Sequence, residues 1–308
     1  MKNTPIDVVL NPFPTIANGI VAPTVYTTEL PASYDYWELT LNLLGGLTVA
    51  MIEEIRLKAN GTLIQQVTGP DLDAMAQFYK APAAAAIAGQ ILLVLDQRRL
   101  GIRGGVQGLA EGKLLSGSAK DLALESTLNC GSFDEQGRGI KALTMEIVVN
   151  NTPGAGTLRV EVYGSATDPY PGGAGLIPVL TRNTFNASTG INVMSKSNAF
   201  LMGDVMHAML DAVHLVPFAG QTLDDFYLWF NNNLILSRSD ARNRFLQQRD
   251  ALRVPQAGLY SFDFTADGFG DQALGIAPTA TELRMQLTAS GAAGNITVYQ
   301  KSLGRLFA

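Results

Sequence analysis

Cysteine and histidine are scarce in this sequence. One cysteine, Cys130, and two histidines, His207 and His214, occur among 308 residues. A single thiol cannot form an internal disulfide, so the fold does not depend on an oxidising compartment. Because free cysteines are commonly small buried residues, we expect Cys130 to be buried rather than to act as a nucleophile.

Charged residues are also few, at 16%, and the net charge is −5. Neither end carries a run of Lys and Arg that would neutralise nucleic-acid phosphates, so we expect no direct sequence-specific contact with a genome. Residues 1–14 lack the apolar stretch of a signal peptide. The most apolar segment, 81–95, is shorter than the ~20 residues of a membrane-spanning helix. These features predict a soluble chain that is made in a cytoplasm.

The side chains of a catalytic centre are missing as well. A cupin-type metal site needs several histidines and a carboxylate around one cavity. His207 and His214 lie seven residues apart in a predicted strand, so they face opposite sides of it. No Gly-x-Ser-x-Gly or Gly-x-x-x-x-Gly-Lys-Ser/Thr motif occurs, and Ser116 and the glycine-rich residues 101–105 lie in unpatterned sequence. We therefore expect no catalytic residue, no cofactor and no enzymatic activity.

One acidic loop is a candidate ion site. Asp263, Asp267 and Asp271 are spaced by four residues with two glycines between them, which is not the spacing of an EF-hand. Solvated loop carboxylates are the simpler interpretation. A structural Ca²⁺ between subunits is the alternative, and the sequence leaves the metal ligands unassigned.

What the sequence does have is alternation with a period of two. Leu143, Met145 and Ile147 alternate with polar residues, and after a turn-rich loop the alternation resumes at 158–163. This pattern predicts a β-hairpin with one buried face. The same arrangement recurs 140 residues later, at 283–290 and 296–299, with a glycine-rich loop between the two segments.

A second pair of segments repeats at an offset of 171 residues. Residues 55–64 resemble residues 226–235, since in each an alternating strand runs into an Asn/Gly turn and a further strand. Each copy is followed by a predicted helix. The apolar face of the first comprises Leu72, Met75, Ala76 and Tyr79, and that of the second comprises Ala241, Phe245 and Leu252.

Two repeated segments in the same order indicate an internal duplication. The offsets differ by 31 residues, so the first copy should carry about that many extra residues, which we assign to a loop inserted at about 81–120. Periodicity stops at the Pro- and Gly-rich residues 168–175, where we place the joint. The sequence thus predicts an all-β protein of two tandem eight-stranded jelly-roll sandwiches with a few short helices, spanning 1–168 and 169–308.

Fold alone does not select a function among virus coats, lectin-like modules and cupins. Trp37, Trp229, Phe230 and Tyr227 could form a carbohydrate-binding surface, so a tandem lectin-like or receptor-binding protein remains an alternative. Packing against the neighbouring half or subunit is the interpretation that we favour for these aromatic residues.

Residues 54–73, EIRLKANGTLIQQVTGPDLD, resemble the corresponding stretch of double jelly-roll major capsid proteins from tailless, membrane-containing icosahedral bacteriophages of the corticovirus and tectivirus type. The resemblance implies a major capsid protein located in the virion. It implies homotrimers with a pseudo-hexagonal outline, because three chains supply six similar units. It further implies facets that tile over an internal viral membrane, a separate protein at the vertices, and no catalytic residue.

Overall fold

The computed structural model describes residues 5–10, 13–87, 89–94, 128–130, 132–133, 139–150, 156–166, 170–171, 176–196, 201–202, 205–249, 253–265, 274–275 and 283–305. Within these ranges the chain is mostly β-strand, as the alternation predicts, with two α-helices and two single-turn 3₁₀ helices at Val49–Met51 and Ala84–Ile87. No helix in the described ranges is long and apolar enough to cross a membrane.

The first sandwich consists of two four-stranded antiparallel sheets and two two-residue strands. Its strands are β1 (Pro5–Val9), β2 (Thr24–Leu30), β3 (Tyr34–Leu44), β4 (Ile52–Ala59), β5 (Thr62–Val67), β6 (Gln90–Val94), β7 (Leu128–Asn129), β8 (Ser132–Phe133), β9 (Leu143–Val149) and β10 (Thr157–Ala166). One sheet has the order β1-β10-β3-β6, with β7 beside β3, and the other has the order β2-β9-β4-β5. Apart from the β4–β5 hairpin, consecutive long strands thus alternate between facing sheets, which is the jelly-roll arrangement.

The second sandwich has the same organisation. Its strands are β11 (Tyr170–Pro171), β12 (Leu176–Ala187), β13 (Gly190–Lys196), β14 (Leu201–Met202), β15 (Val205–Val216), β16 (Gln221–Phe230), β17 (Asn233–Ser239), β18 (Tyr260–Asp263), β19 (Leu274–Gly275), β20 (Leu283–Gly291) and β21 (Gly294–Arg305). Here β12-β21-β15-β18 form one sheet and β13-β20-β16-β17 the other. Each sandwich therefore has eight strands longer than two residues among the described parts of the chain, and the predicted double jelly roll is confirmed.

The hairpins β4–β5 and β16–β17 match each other in local geometry. Asn60 and Gly61 have φ of 50° and 83°, and Asn231 and Asn232 have φ of 45° and 65°. These left-handed conformations close the β4–β5 and β16–β17 turns, where Asn and Gly are tolerated best. Both hairpins also shift register after the second residue pair from the turn, leaving Ile64 and Ile235 as the extra residues. The repeat predicted at an offset of 171 therefore extends to a shared β-bulge.

The two hairpins predicted at 143–163 and 283–299 are wrong. β9 pairs with β2 and β4, whereas β10 pairs with β1 and β3 in the opposite sheet. In the second half β20 and β21 are separated in the same way. Alternation shows that one face of a strand is buried, and it does not identify the neighbouring strand. A glycine-rich connection can therefore cross between the sheets as readily as it turns within one.

The two helices bury different kinds of face. Helix α1 (Gly69–Phe78) starts at the N-cap Thr68, whose Oγ1 accepts a hydrogen bond from Asp71 N. Its predicted face is largely confirmed, since Leu72, Met75 and Ala76 are buried.

The apolar face predicted for the second helix, α2 (Asp240–Arg249), is wrong. Ala241 and Phe245 are exposed, and Leu252 lies outside the described residues. The buried face instead carries Asn243 and Gln247, whose side-chain amides donate to the Ser261 carbonyl at 2.7 and 2.5 Å. A buried backbone carbonyl needs a donor, which an apolar helix face cannot supply.

Part of the predicted insert is ordered as a strand. β6, at 90–94, pairs with β3 and corresponds to β18 beside β15. Any extra length therefore begins after Val94, and residues 95–127, including Ser116 and 101–105, lie outside the described residues. At the predicted joint, 168–175, the structure describes Tyr170 and Pro171, which pair in parallel with Ser132 and Phe133. The division at 168/169 stays a prediction.

The side chain of Asn60 connects the β4–β5 turn to the backbone of residues 139–142, and this connection can be tested by mutation. Its Oδ1 accepts from Lys141 N and Ala142 N, and its Nδ2 donates to the Gly139 carbonyl. We expect Asn60→Ala to lower the free energy of unfolding by about 2–3 kcal/mol, because the left-handed φ and three hydrogen bonds are both affected. Asn232→Ala, at a turn residue with a similar φ, should cost about 1 kcal/mol. Equal losses in urea denaturation would contradict the role given to the side chain.

Candidate functional site: the junction of the two sandwiches

The two sandwiches meet edge to edge. β5 of the first lies beside β12 of the second in parallel orientation, with Gln65 opposite Leu180. The Gln65 side chain donates to the Pro178 carbonyl at 3.3 Å. Arg182 of β12 lies 3.5 Å from the carboxylate of Glu54 on β4. The contact joins the β2-β9-β4-β5 sheet and the sheet containing β12 into one ten-stranded sheet.

Helix α1 packs across this junction with its N-terminus on β21. The hydroxyl of Tyr299 donates to the Asp71 carboxylate at 2.5 Å and accepts from Thr68 N at 3.4 Å. An acidic residue in the first turn already interacts favourably with the helix dipole. Tyr299 thus attaches the second sandwich to a helix terminus of the first.

The C-terminal end of α1 inserts two aromatic rings against β15. The rings of Phe78 and Tyr79 lie 5.7 and 5.9 Å from the imidazole of His214, both edge-on. Val254 N donates to the Phe78 carbonyl at 2.9 Å, so a segment of the second sandwich caps a carbonyl that the helix leaves unpaired. His214 and Phe78 are both buried. The buried rings of Phe78 and His214 therefore pack directly against each other across the contact between the sandwiches.

Two cations close the junction around Tyr79. The Arg253 guanidinium lies 4.9 Å and the Lys301 ammonium 4.3 Å from the centre of the Tyr79 ring. Arg253 also forms a buried ion pair with Asp263, at 2.5 Å, in which the two side chains are 2% and 0% exposed. The other Asp263 oxygen accepts from the backbone and hydroxyl of Thr265. Such a pair is stable because its hydrogen-bonding capacity is satisfied.

Burial sets the protonation states at the junction. Desolvation, followed by the nearby Lys301, lowers the pKa of His214 from 6.5 to about 3, so the imidazole is neutral at pH 7. Its Nδ1 lies 2.7 Å from the Ser261 hydroxyl. Desolvation also raises the pKa of Tyr79 and of Tyr299, and the neighbouring Asp71 carboxylate raises that of Tyr299 further. These three side chains are therefore neutral at pH 7, so the contact between them buries no unpaired charge of their own.

The predicted site residues are not brought together. Asp263 forms its ion pair with Arg253, and Asp267 and Asp271 lie outside the described residues. The calcium site therefore stays a prediction. Among the described residues no group of three or more His, Cys, Asp and Glu side chains is placed to hold a metal ion. His207 and His214 pair with Gly304 and Tyr299, five residues apart on β21, and thus occupy separate rows. Cys130 is buried, as expected.

The four aromatic residues of the predicted binding surface lie on strands β3 and β16. Trp37 sits at a register shift of β3, and its side chain lies outside the described residues. On β16, Leu228 is fully buried, whereas Tyr227 and Trp229 alternate with it on the outer side of the sheet. The Arg284 guanidinium of β20 lies 4.8 Å from the Trp229 ring centre. Trp229 therefore packs against its own sheet. Phe230 packs against the second core.

Equivalent outer faces of the two sandwiches differ in character. In the first, Arg56, Lys58 and Glu146 form ion pairs across β4 and β9, with Glu146 3.7 Å from Arg56 and 2.5 Å from Lys58. The positions of Arg56 and Lys58 are occupied in the second sandwich by Tyr227 and Trp229. The duplicated halves have thus kept one fold and acquired different surfaces.

Sequence patterns identified only part of this junction. Tyr79 lies on the predicted face of α1, but the sequence gives no reason to connect it with His214, 135 positions away. Tyr299 falls in a predicted strand and Arg253 in unpatterned sequence. The general signal that these two residues offer is their type, because aromatic residues and arginine are enriched where protein surfaces meet.

The His214 environment predicts a pH dependence of stability. The folded pKa lies below the unfolded value, so the unfolded chain binds a proton first and stability falls as the pH drops from about 6.5 towards 3. Between pH 7 and 5 the loss should be roughly 2 kcal/mol. His214→Gln should remove this contribution, whereas His207→Gln should keep it. Equal slopes for wild type and His214→Gln in denaturation at pH 5–7 would contradict the assignment.

The buried ion pair can be tested by breaking it. Arg253→Met should lower the free energy of unfolding by about 3–5 kcal/mol, because Asp263 is left charged without its partner. The double variant Arg253→Met/Asp263→Leu should recover part of that loss. Arg244→Met, which removes a half-exposed pair with Asp240, should cost about 1 kcal/mol or less. The pair has no structural role if the three variants unfold at the same urea concentration.

Similar proteins were found by fold and by family. The structure matches the major capsid protein P2 of bacteriophage PM2 with a TM-score of 0.73 and 14% identity, over 98% of this chain and 97% of that one. It matches the STIV MCP with a TM-score of 0.62 and 11% identity, over 98% and 97%. It matches the PBCV-1 virus capsid with a TM-score of 0.59 and 9% identity, over 98% and 94%. At these identities the matches establish the fold alone.

Two family models match the sequence itself. The viral coat protein P2 N-terminal domain matches residues 10–110, and the viral coat protein P2 C-terminal domain matches residues 184–306. No curated protein sequence matches significantly. The two family matches together cover more than two thirds of the 308 residues. The chain therefore belongs to the viral coat protein P2 family, and it is a structural protein of the virion capsid rather than an enzyme.

Proposed function

We propose that this protein is the major capsid protein of a membrane-containing icosahedral virus and that it forms homotrimers with a pseudo-hexagonal outline. The observation that carries the proposal is the junction, within one chain, between two sandwiches of the same topology. Each chain supplies two similar units in one fixed orientation, so three chains supply the six units of a hexagonal tile. Repeated head-to-tail interfaces form a closed ring when the rotation between neighbouring units closes.

The junction has the properties that such a tile requires. Its aromatic, cationic and hydrogen-bonding contacts fix the angle between the two sandwiches, and a fixed angle is needed if identical chains are to close a ring. The composition adds support, because a net charge of −5 suits a shell protein that does not package nucleic acid directly. In this proposal the tiles cover an internal membrane and a different protein occupies the vertices.

The proposal is tested by the mass of the purified protein. Light scattering after size exclusion should give three times the chain mass of 32.9 kDa, and electron microscopy should show tiles with six lobes. A strictly monomeric protein at high concentration would overturn the trimer. Flotation with anionic and neutral vesicles tests the membrane contact separately, and no vesicle binding by assembled protein would remove that part of the proposal.

A further inference from the structure

In each sandwich, one edge strand lacks the partner strand that the equivalent edge strand of the other sandwich has. β5 lies against β12, and its bulge residue Ile64 is fully buried. β17 is the equivalent of β5, yet among the described residues only β16 pairs with it, and its bulge residue Ile235 is 39% exposed. The same structural element is therefore covered in the first sandwich and open in the second.

The partner of that open edge is also present in the fold. β12, which covers β5, is equivalent to β1, because both pair with the last strand of their sandwich. Within the described ranges β1 pairs with β10 alone. Each chain thus contains one such contact, between β5 and β12. The equivalent strands β17 and β1 form no such contact within the described residues of the chain. Unpaired strand edges of this kind are usually covered or blocked in native proteins.

We propose that β17 and α2 of one chain dock on the β1 edge of a second copy, repeating between chains the contact that β5 and α1 make with β12 within the chain. The inference rests on the proposed trimer and names the surfaces that hold it together. By register, Gln65 corresponds to Leu236 and Leu180 corresponds to Val9. The contact thus places Leu236 of one chain opposite Val9 of the next, in parallel.

The proposed docking surface carries three of the exposed large apolar side chains among the described residues. Leu234 and Ile235 on β17 are 46% and 39% exposed, and Phe245 on α2 is 53% exposed. The position equivalent to Phe245 in α1 is Ala74, which is packed against the first core. Large apolar side chains at this level of exposure, grouped on one edge and the adjacent helix, are characteristic of a protein-protein contact.

The matched experiment compares two exposed isoleucines of the same sheet. Ile235→Asp on β17 should weaken trimer formation at least about tenfold, measured by light scattering across a dilution series. Ile191→Asp, on the opposite edge strand β13 and 68% exposed in the monomer, should leave the trimer intact. Both variants should unfold as cooperatively as wild type, because neither residue is buried. The inference is overturned if Ile191→Asp weakens the trimer and Ile235→Asp does not.

A cross-link tests the register directly. In a Cys130→Ala background, the pair Val9→Cys and Leu236→Cys should form disulfides between chains when the assembled protein is oxidised, giving linked trimers on a non-reducing gel. Each single cysteine should give none. If wild type is trimeric but no link forms, the docking surface is wrong and the proposed function stands. If wild type is monomeric at every concentration, both fail.

Discussion

An open strand edge presents unpaired backbone groups, and covering the edge of β5 is the constraint from which the arrangement of the two sandwiches follows. β12 covers that edge, and its presence there sets the second sandwich beside the first. Helix α1 then has to lie over the outer face of the sheet containing β12, β21 and β15, where Tyr299 and His214 meet its two ends. Arg253 and Lys301 lie over the Tyr79 ring at the C-terminal end of the helix, and Arg253 is held there by its ion pair with Asp263. The junction is thus one cooperative unit rather than a set of separate contacts.

A single residue links this junction to α2. Ser261 of β18 has its hydroxyl at His214 and its carbonyl on the amides of Asn243 and Gln247. The polar buried face of α2 is therefore tied to the same strand that supports the junction. Because buried hydrogen-bonded networks rigidify what they connect, α2 is held in a defined position on the outside of the second sandwich. A rigid element is better suited to docking than a loop, since less entropy is lost on association.

The sequence was sufficient for the fold class and for the duplication, because period-two burial and the Asn/Gly turns are local properties of the chain. Local signals also located α1, whose Thr68 cap and apolar face are both found in the structure. They failed for the hairpins predicted at 143–163 and 283–299, because the alternation at 143–149 is the same whichever strand is the neighbour. They failed again for α2, where the buried side chains are Asn243 and Gln247. The pairing of Tyr79 with His214 depends on tertiary contacts that no local pattern encodes.

The position of the filled junction within one chain has a consequence for the order of events during assembly. Two units joined by a peptide linker meet at a high effective concentration, so the β5–β12 contact forms at any protein concentration. The proposed β17–β1 contact joins separate chains and depends on how many have accumulated. Folding and shell building are thereby separated in time, and newly made chains can be completed singly before they are committed to a lattice. The fusion of the two sandwiches also ensures that the two kinds of unit are always produced in equal number.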